Sequence, residues 1–275
     1  MVKLTIDGIQ VEAEKGTSVL HAAESVGIKI PTLCYIKDLL PDGSCRMCMV
    51  EIESRGRTKM ETACTAQVSE GLVVTTNSEK VRNARRNILD MLLSNHKTDC
   101  FSCPSNGDCK LQELCFEYGI ERTTYSGEQT ELPIDDSNKF FTYNPNLCIL
   151  CHRCVNTCHK VVGRGAIDTM ERGFDSAIGT PFHIDWADTN CESCGNCVQA
   201  CPTGALTMKR RKNYRKYQID KKVLTTCPHC ATGCQYYLLV KDNRIVDVEG
   251  ANGASNKGLL CVKGRRSEEH TSELQ

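Results

Sequence analysis

Cys148-Ile149-Leu150-Cys151-His152-Arg153-Cys154-Val155-Asn156-Thr157-Cys158 and Cys191-Glu192-Ser193-Cys194-Gly195-Asn196-Cys197-Val198-Gln199-Ala200-Cys201-Pro202 write one pattern twice, C-x2-C-x2-C-x3-C. Steps of C-x2-C let successive thiolates reach neighbouring corners of one inorganic cage. Soft sulfur ligands match iron within a sulfide framework, and a more distant cysteine closes the fold over it. Eight thiols in two such runs are expected to hold iron–sulfur cages. A pair of zinc sites is the alternative, and four evenly spaced thiols written twice argue against it.

The doubled run resembles the bacterial two-cluster ferredoxins, in which the fourth cysteine of each run serves the other cluster. The resemblance implies one 4Fe–4S centre on Cys148, Cys151, Cys154 and Cys201, and a second on Cys191, Cys194, Cys197 and Cys158. His159 stands where a proline usually follows the fourth cysteine of the first run, whereas Pro202 keeps that place in the second. The departure leaves the ligands intact.

Composition points the same way. The chain has 20 cysteines in 275 residues, and only 5% of its residues are aromatic, with Trp186 the single tryptophan. Several small domains with thin cores are implied, and such domains need staples. Met1–Asp7 reads as a strand, not a secretory leader, and no apolar run is long enough to span a membrane. A cytoplasmic location is expected, where thiols hold metal more often than they form disulfides. With 34 basic and 34 acidic residues, no global field attracts nucleic acid or lipid.

Three further sets accompany the doubled run. Cys34, Cys45, Cys48 and Cys64 are spaced C-x10-C-x2-C-x15-C, with Gly43 and Ser44 positioned to let backbone amides approach the sulfurs. This set resembles the 2Fe–2S domain of the large cluster-bearing subunit of NADH dehydrogenase and of iron-only hydrogenases. His96, Cys100, Cys103 and Cys109 are spaced H-x3-C-x2-C-x5-C, and an imidazole in place of one thiolate makes a cluster less negative. Cys227, Cys230, Cys234 and Cys261 are spaced C-x2-C-x3-C-x26-C. They resemble the 4Fe–4S subdomain of molybdopterin-dinucleotide oxidoreductases, where a lysine two residues past the last ligand lies between cluster and pterin. That resemblance assigns Lys263 here. Together the sets absorb every cysteine except Cys115, which reads as a buried structural thiol.

The expected fold class is α+β, a string of small iron–sulfur domains. Residues 1–78 read as a β-grasp 2Fe–2S domain. In it, strands flank Asp7-Gly8, Thr17 or Ser18 caps a helix with Val19, Ala22, Ala23 and Val26 on its apolar side, and Met47–Ile52 and Leu72–Thr76 form further strands. Residues 79–136 hold the histidine/cysteine centre. They begin with a helix over Glu79–Ser94 whose expected apolar stripe is Val81, Ala84, Ile88, Met91 and Leu92. Residues 137–208 form the two-cluster domain, residues 209–221 a solvated basic linker, and residues 222–265 the last cluster domain, with a hairpin about Lys241-Asp242-Asn243. Residues 266–275 match the translation of a sequencing adapter and are expected to be an artefact, so that the natural protein continues differently beyond Arg265.

This order of modules resembles the N-terminal part of the catalytic subunit of cytosolic formate dehydrogenases. The resemblance implies one 2Fe–2S and four 4Fe–4S clusters. It also implies a molybdenum or tungsten bis-pterin guanine dinucleotide centre in a catalytic domain beyond these residues, and no catalytic residue within them. It further implies a flavin/NAD-binding subunit, ferredoxin or hydrogenase as electron partner. The cluster-bearing subunits of NADH dehydrogenase and of hydrogenase are alternatives, as is a stand-alone electron carrier.

Overall fold

The computed structural model describes residues 1–266, so the adapter-like tail lies outside the described residues apart from Arg266. The chain divides into two compact units. One is Met1–His96 with Glu113–Gln129; the other is Lys97–Gln112 with the chain from Thr130 onward.

In the first unit, β1 (Val2–Ile6) and β2 (Ile9–Ala13) pair antiparallel, with Ile6 opposite Ile9. The two residues between them, Asp7 and Gly8, have φ of 47° and 83°, the conformation a two-residue hairpin requires. Helix α1 (Val19–Ser25) is capped by Ser18, whose Oγ accepts from His21 N at 3.3 Å. Strands β3 (Met49–Ser54), β4 (Arg57–Thr62) and β5 (Leu72–Thr75) complete a five-stranded sheet in the order β2-β1-β5-β3-β4, with β1 and β5 parallel. Leu4, Ile6, Val50, Ile52, Leu72 and Val74 on the sheet and Val19, Leu20, Ala22 and Ala23 on α1 form one core. This is the β-grasp arrangement expected.

Helix α2 (Glu79–Ser94) has the expected limits, with Ser78 as its cap. Its buried stripe is Val81, Arg85, Leu89 and Leu93, and Met91 is 53% exposed. The expected stripe is corrected by one position because a charged residue, Arg85, occupies the inner face. Its guanidinium donates to Met49 O at 2.7 Å and to Tyr118 Oη at 3.0 Å, which is why it can be buried.

Helix α3 spans Lys110–Glu117, and Cys115 upon it is a buried thiol outside any disulfide. In the second unit the doubled run is framed by two strand pairs. These are β6 (Phe141–Tyr143) with β9 (Leu206–Met208), and β7 (Asp168–Met170) with β8 (Ala177–Gly179). Between them, α4 (Arg153–Asn156) continues into a π-helical turn over Thr157–Val162, and α5 (Asn196–Ala200) repeats the helix. Trp186 packs edge-on against Phe141 and Tyr143, with ring centroids 5.2 and 5.3 Å away.

Strands β10 (Lys221–Thr226), β11 (Gln235–Lys241) and β12 (Arg244–Gly250) form an antiparallel sheet in that order. The expected turn is present, with Asp242 and Asn243 at φ 49° and 59°. A short α6 (Val262–Arg265) follows. The solvated linker expected over 209–221 is corrected. Tyr214 is buried, Arg211 and Lys216 pair with Asp108 at 3.0 and 3.1 Å, and Arg210 pairs with Asp247. Acidic partners from distant stretches turn a charge run into a packed seam, which composition alone does not reveal.

Candidate metal centres

The two C-x2-C-x2-C-x3-C runs share backbone as well as sequence. Leu150 and Ser193, equivalent in the repeat, have φ of 50° and 53°; His152 and Gly195, two residues on, have 57° and 72°. The left-handed turn aims an amide back at the first cysteine of each run. Leu150 N donates to Cys148 Sγ at 3.4 Å, and Ser193 N to Cys191 Sγ at 3.3 Å. Amides placed on ligand sulfurs in this way stabilise thiolate charge.

Each run then sends its fourth cysteine across. Cys148, Cys151, Cys154 and Cys201 line one small cavity. Cys191, Cys194, Cys197 and Cys158 line another. The π-helical turn carries Cys158 into the second cavity, where its sulfur accepts from Ala166 N at 3.3 Å. Widened helical turns of this kind are frequent at functional sites. His159, in the usual proline's place, bonds Ile167 O through Nε2 at 2.8 Å instead.

These thiols are buried among apolar groups, and burial is the main cause that pushes Cys148 up to about 11 and Cys151 up to about 12 and raises Cys154 and Cys197 as well. Among the described residues, no three His, Cys, Asp or Glu side chains gather about one point as a single ion requires. All 20 cysteines lie outside disulfides. The donor chemistry, the two cavities and the amide-to-sulfur bonds fit 4Fe–4S cages.

In the first unit, Cys34 follows α1, Cys45 and Cys48 precede β3, and Cys64 follows β4. The four thiols act on one another in pairs: Cys45 lowers Cys34 and Cys64 lowers Cys48, while Cys45 and Cys64 are raised in turn. Gly43 has φ of 65°, and a Cβ there would meet Thr65 Cγ2 at 3.2 Å, so glycine fits the tight loop that delivers Ser44.

Cys227, Cys230, Cys234 and Cys261 surround the end of the three-stranded sheet, where the charges of the other three thiols all act on Cys234. Cys227 N donates to Cys234 O at 2.8 Å, closing the loop between β10 and β11. Asn256 clamps the loop that leads to Cys261. Its Oδ1 accepts from Gln235 N at 3.0 Å, and its Nδ2 donates to the carbonyls of Gln235, Ala251 and Leu259 at 2.9, 3.1 and 2.9 Å. The Cys230 thiol is lowered first by the Thr232 hydroxyl and further by the Thr232 amide and the charge of Lys263, which stands two residues past Cys261.

Cys100, Cys103 and Cys109 lie in the second unit. Cys103 N donates to Cys100 O at 3.3 Å, and burial raises Cys109 to about 11. The backbone leaves room for Cys103 beside Gly204, where an added Cβ would fall 2.6 Å from Cys103 Sγ. His96 closes the first unit. It is buried, burial lowers it to about 4, and its Nδ1 has no hydrogen-bond partner among the described residues. A neutral imidazole with an unused nitrogen is suited to a metal.

Sequence reasoning passes over Asn196, Asn256 and Arg265. The first two are polar residues of loops and helix ends, where a solvent-facing role is the ordinary expectation. Arg265 stands among charged neighbours, and only its burial in the fold reveals its partners.

Family models match along the chain. Residues 1–79 match a 2Fe–2S iron–sulfur cluster binding domain, and residues 85–124 the NADH-ubiquinone oxidoreductase-G iron–sulfur binding region. Residues 140–207 match the ferredoxin-like domain of NADH-quinone oxidoreductase subunit 3, and 190–238 a 4Fe–4S dicluster domain. Residues 220–273 match the molybdopterin oxidoreductase Fe4S4 domain. The chain is 40% identical over 265 residues to the NADPH-Fe(3+) oxidoreductase subunit alpha of Geobacter sulfurreducens, covering 96% of this chain and 31% of that protein. It is also 40% identical over 269 residues to an NADH-quinone oxidoreductase subunit of Rhizobium meliloti, with the same coverage. A crystal structure of NAD+-reducing [NiFe]-hydrogenase superimposes with a TM-score of 0.70 at 31% identity, over 76% of this chain and 87% of that one. The chain thus spans about a third of the length of the curated relatives it matches.

Proposed function

We propose that this chain, which belongs to the NADH-ubiquinone oxidoreductase-G type family of iron–sulfur proteins that extends to hydrogenases, is the electron-relay part of a pyridine-nucleotide-linked oxidoreductase. The observation that carries this reading is the exchange of Cys158 and Cys201 between two adjacent thiolate-lined cavities. Such an arrangement has no use in disulfide or single-ion chemistry. Bound in the five sets, one 2Fe–2S and four 4Fe–4S clusters would supply one-electron storage and transfer. The protein's share is to fix the thiolates, shield them from water and aim amides at the sulfurs.

The electron partner proposed is a flavin-bearing subunit that oxidises NADH or NADPH, in line with the names of the relatives. His96 is proposed as the nitrogen ligand that completes the Cys100, Cys103 and Cys109 set. The test is anaerobic reduction of the reconstituted chain by NADH or NADPH in the presence of such a flavoprotein, followed through the cluster absorbance. Bleaching that requires the flavoprotein supports the reading; no bleaching, with clusters that dithionite does reduce, contradicts it.

Formate dehydrogenase, the reading that module order suggests, is favoured by one observation: Lys263 stands two residues past Cys261, the last thiol of a quartet that matches the molybdopterin oxidoreductase domain. The names of the relatives support a pyridine-nucleotide-linked enzyme over a formate-specific one. Molybdenum or tungsten in the full-length protein, with formate-dependent cluster reduction, would reverse that preference.

A further inference from the structure

Asn196 links a thiol of one quartet to the backbone next to a thiol of another. It opens α5 directly after Gly195 and is buried. Its Nδ2 donates to Cys194 Sγ at 3.5 Å and to Leu260 O at 3.0 Å. Its Oδ1 accepts from Leu260 N at 3.2 Å and from Arg265 Nη2 at 2.9 Å. Leu260 is covalently joined to Cys261. A single carboxamide therefore spans from a sulfur of one quartet to the backbone that carries a sulfur of the next.

Arg265, itself buried, fixes the carboxamide from the other side. Its Nε donates to Cys194 O at 2.7 Å and its Nη2 also to Gln199 Oε1 at 3.0 Å. Gly195 makes room for it, since a Cβ there would fall 2.6 Å from Arg265 Cδ. The repeat diverges at just this place. His152 and Arg153 of the first run occupy the positions of Gly195 and Asn196, so the clasp belongs only to the run that faces the Cys227–Cys261 loops.

Two physical effects follow. An amide donor on a ligand sulfur, with a buried guanidinium behind it, favours the more negative, reduced state of whatever that sulfur holds. The chain Cys194 Sγ, Asn196, Leu260, Cys261 is also a route of two hydrogen bonds and a few covalent bonds between sulfurs, with no gap to cross.

We propose that Asn196, seated by Arg265, is the bridge through which an electron passes between the Cys158/Cys191/Cys194/Cys197 centre and the Cys227/Cys230/Cys234/Cys261 centre, and that it raises the reduction potential of the former. One electron leaves one centre and arrives at the other; no bond breaks and no proton is required. The proposal rests on those two ligand sets, and Asn196 acts as a positioning residue, not a ligand.

The test uses the full chain reconstituted anaerobically, with iron content measured alongside EPR-monitored redox titration, for wild type and Asn196→Leu. With iron unchanged, one 4Fe–4S signal should move to lower potential while the others keep theirs. After partial reduction and rapid freezing, equilibration between that signal and the Cys227-set signal should slow at least several-fold. Unchanged potentials and unchanged equilibration at full iron content overturn the proposal. If Asn196→Leu loses iron, Asn196→Asp decides by the same criteria. It keeps the shape and the bonds from Leu260 N and Arg265, but lacks the donor and adds a negative charge. A wild type that fails to bind iron in these sets would instead refute the ligand reading itself.

Discussion

Asn256→Ala isolates the clamp that holds the last quartet in place. The side chain is 7% exposed and satisfies one backbone amide and three backbone carbonyls, at 2.9 to 3.1 Å. Alanine keeps the fold's apolar contacts but takes away the side-chain partner of Gln235 N and of Leu259 O. The Gln235 carbonyl keeps Ala251 N at 3.0 Å, and the Ala251 carbonyl keeps Gly253 N and Gly258 N at 2.8 and 3.0 Å. With net values of about 1 kcal/mol per hydrogen bond, and more where a buried group is left unmet, the loop should lose about 2–3 kcal/mol. If iron leaves this centre through local opening of the loop, such a loss accelerates it by a factor on the order of 30 to 100. The assay is iron release to a chelator from the reconstituted chain, resolved by EPR so that each centre is followed separately. The Cys227-set signal should disappear first and alone. Release at the wild-type rate, or equal acceleration at every centre, would rule out a clamping role for Asn256.

Other outcomes follow from the same geometry. Cys158→Ser should damage the centre of Cys191, Cys194 and Cys197 and spare that of its own run, and Cys201→Ser should do the converse; paired loss within each run, read by EPR, would contradict the exchange. Arg85→Met should destabilise the first unit by about 2–3 kcal/mol, because Met49 O and Tyr118 Oη lose a charged donor inside the structure. Hydrogen exchange across α2 and β3 reads that loss, and unaltered protection would count against it.

Much of the fold is legible in the residues, and the reasons differ from place to place. The short steps of the doubled run bring the first three thiols of each run together, because they leave the backbone few choices, while the crossing of the fourth is implied by the resemblance to two-cluster ferredoxins. The Asp7-Gly8 and Lys241-Asp242-Asn243 turns are readable because left-handed φ values restrict residue type. Helix α2 shows its limits through its period. Its inner stripe is missed because periodicity treats arginine as solvent-facing, whereas Arg85 finds a carbonyl and a phenol that sequence cannot place. The basic run at 209–216 misleads for a related reason: Asp108, Asp247 and Glu249 come from far along the chain. Asn196 and Asn256 carry the finest positioning of the sites, yet each looks like any other asparagine until its partners are in place.

Five sets of cysteine sulfurs, one of them completed by the His96 imidazole, are proposed to hold one 2Fe–2S and four 4Fe–4S clusters. Mössbauer spectroscopy of the chain reconstituted with ⁵⁷Fe, together with total iron and zinc, tests this directly. About 18 irons per chain are expected, with about one iron in nine in the two-iron spectrum and the remainder in cubane spectra. About four irons per chain, or zinc in place of iron, would contradict it.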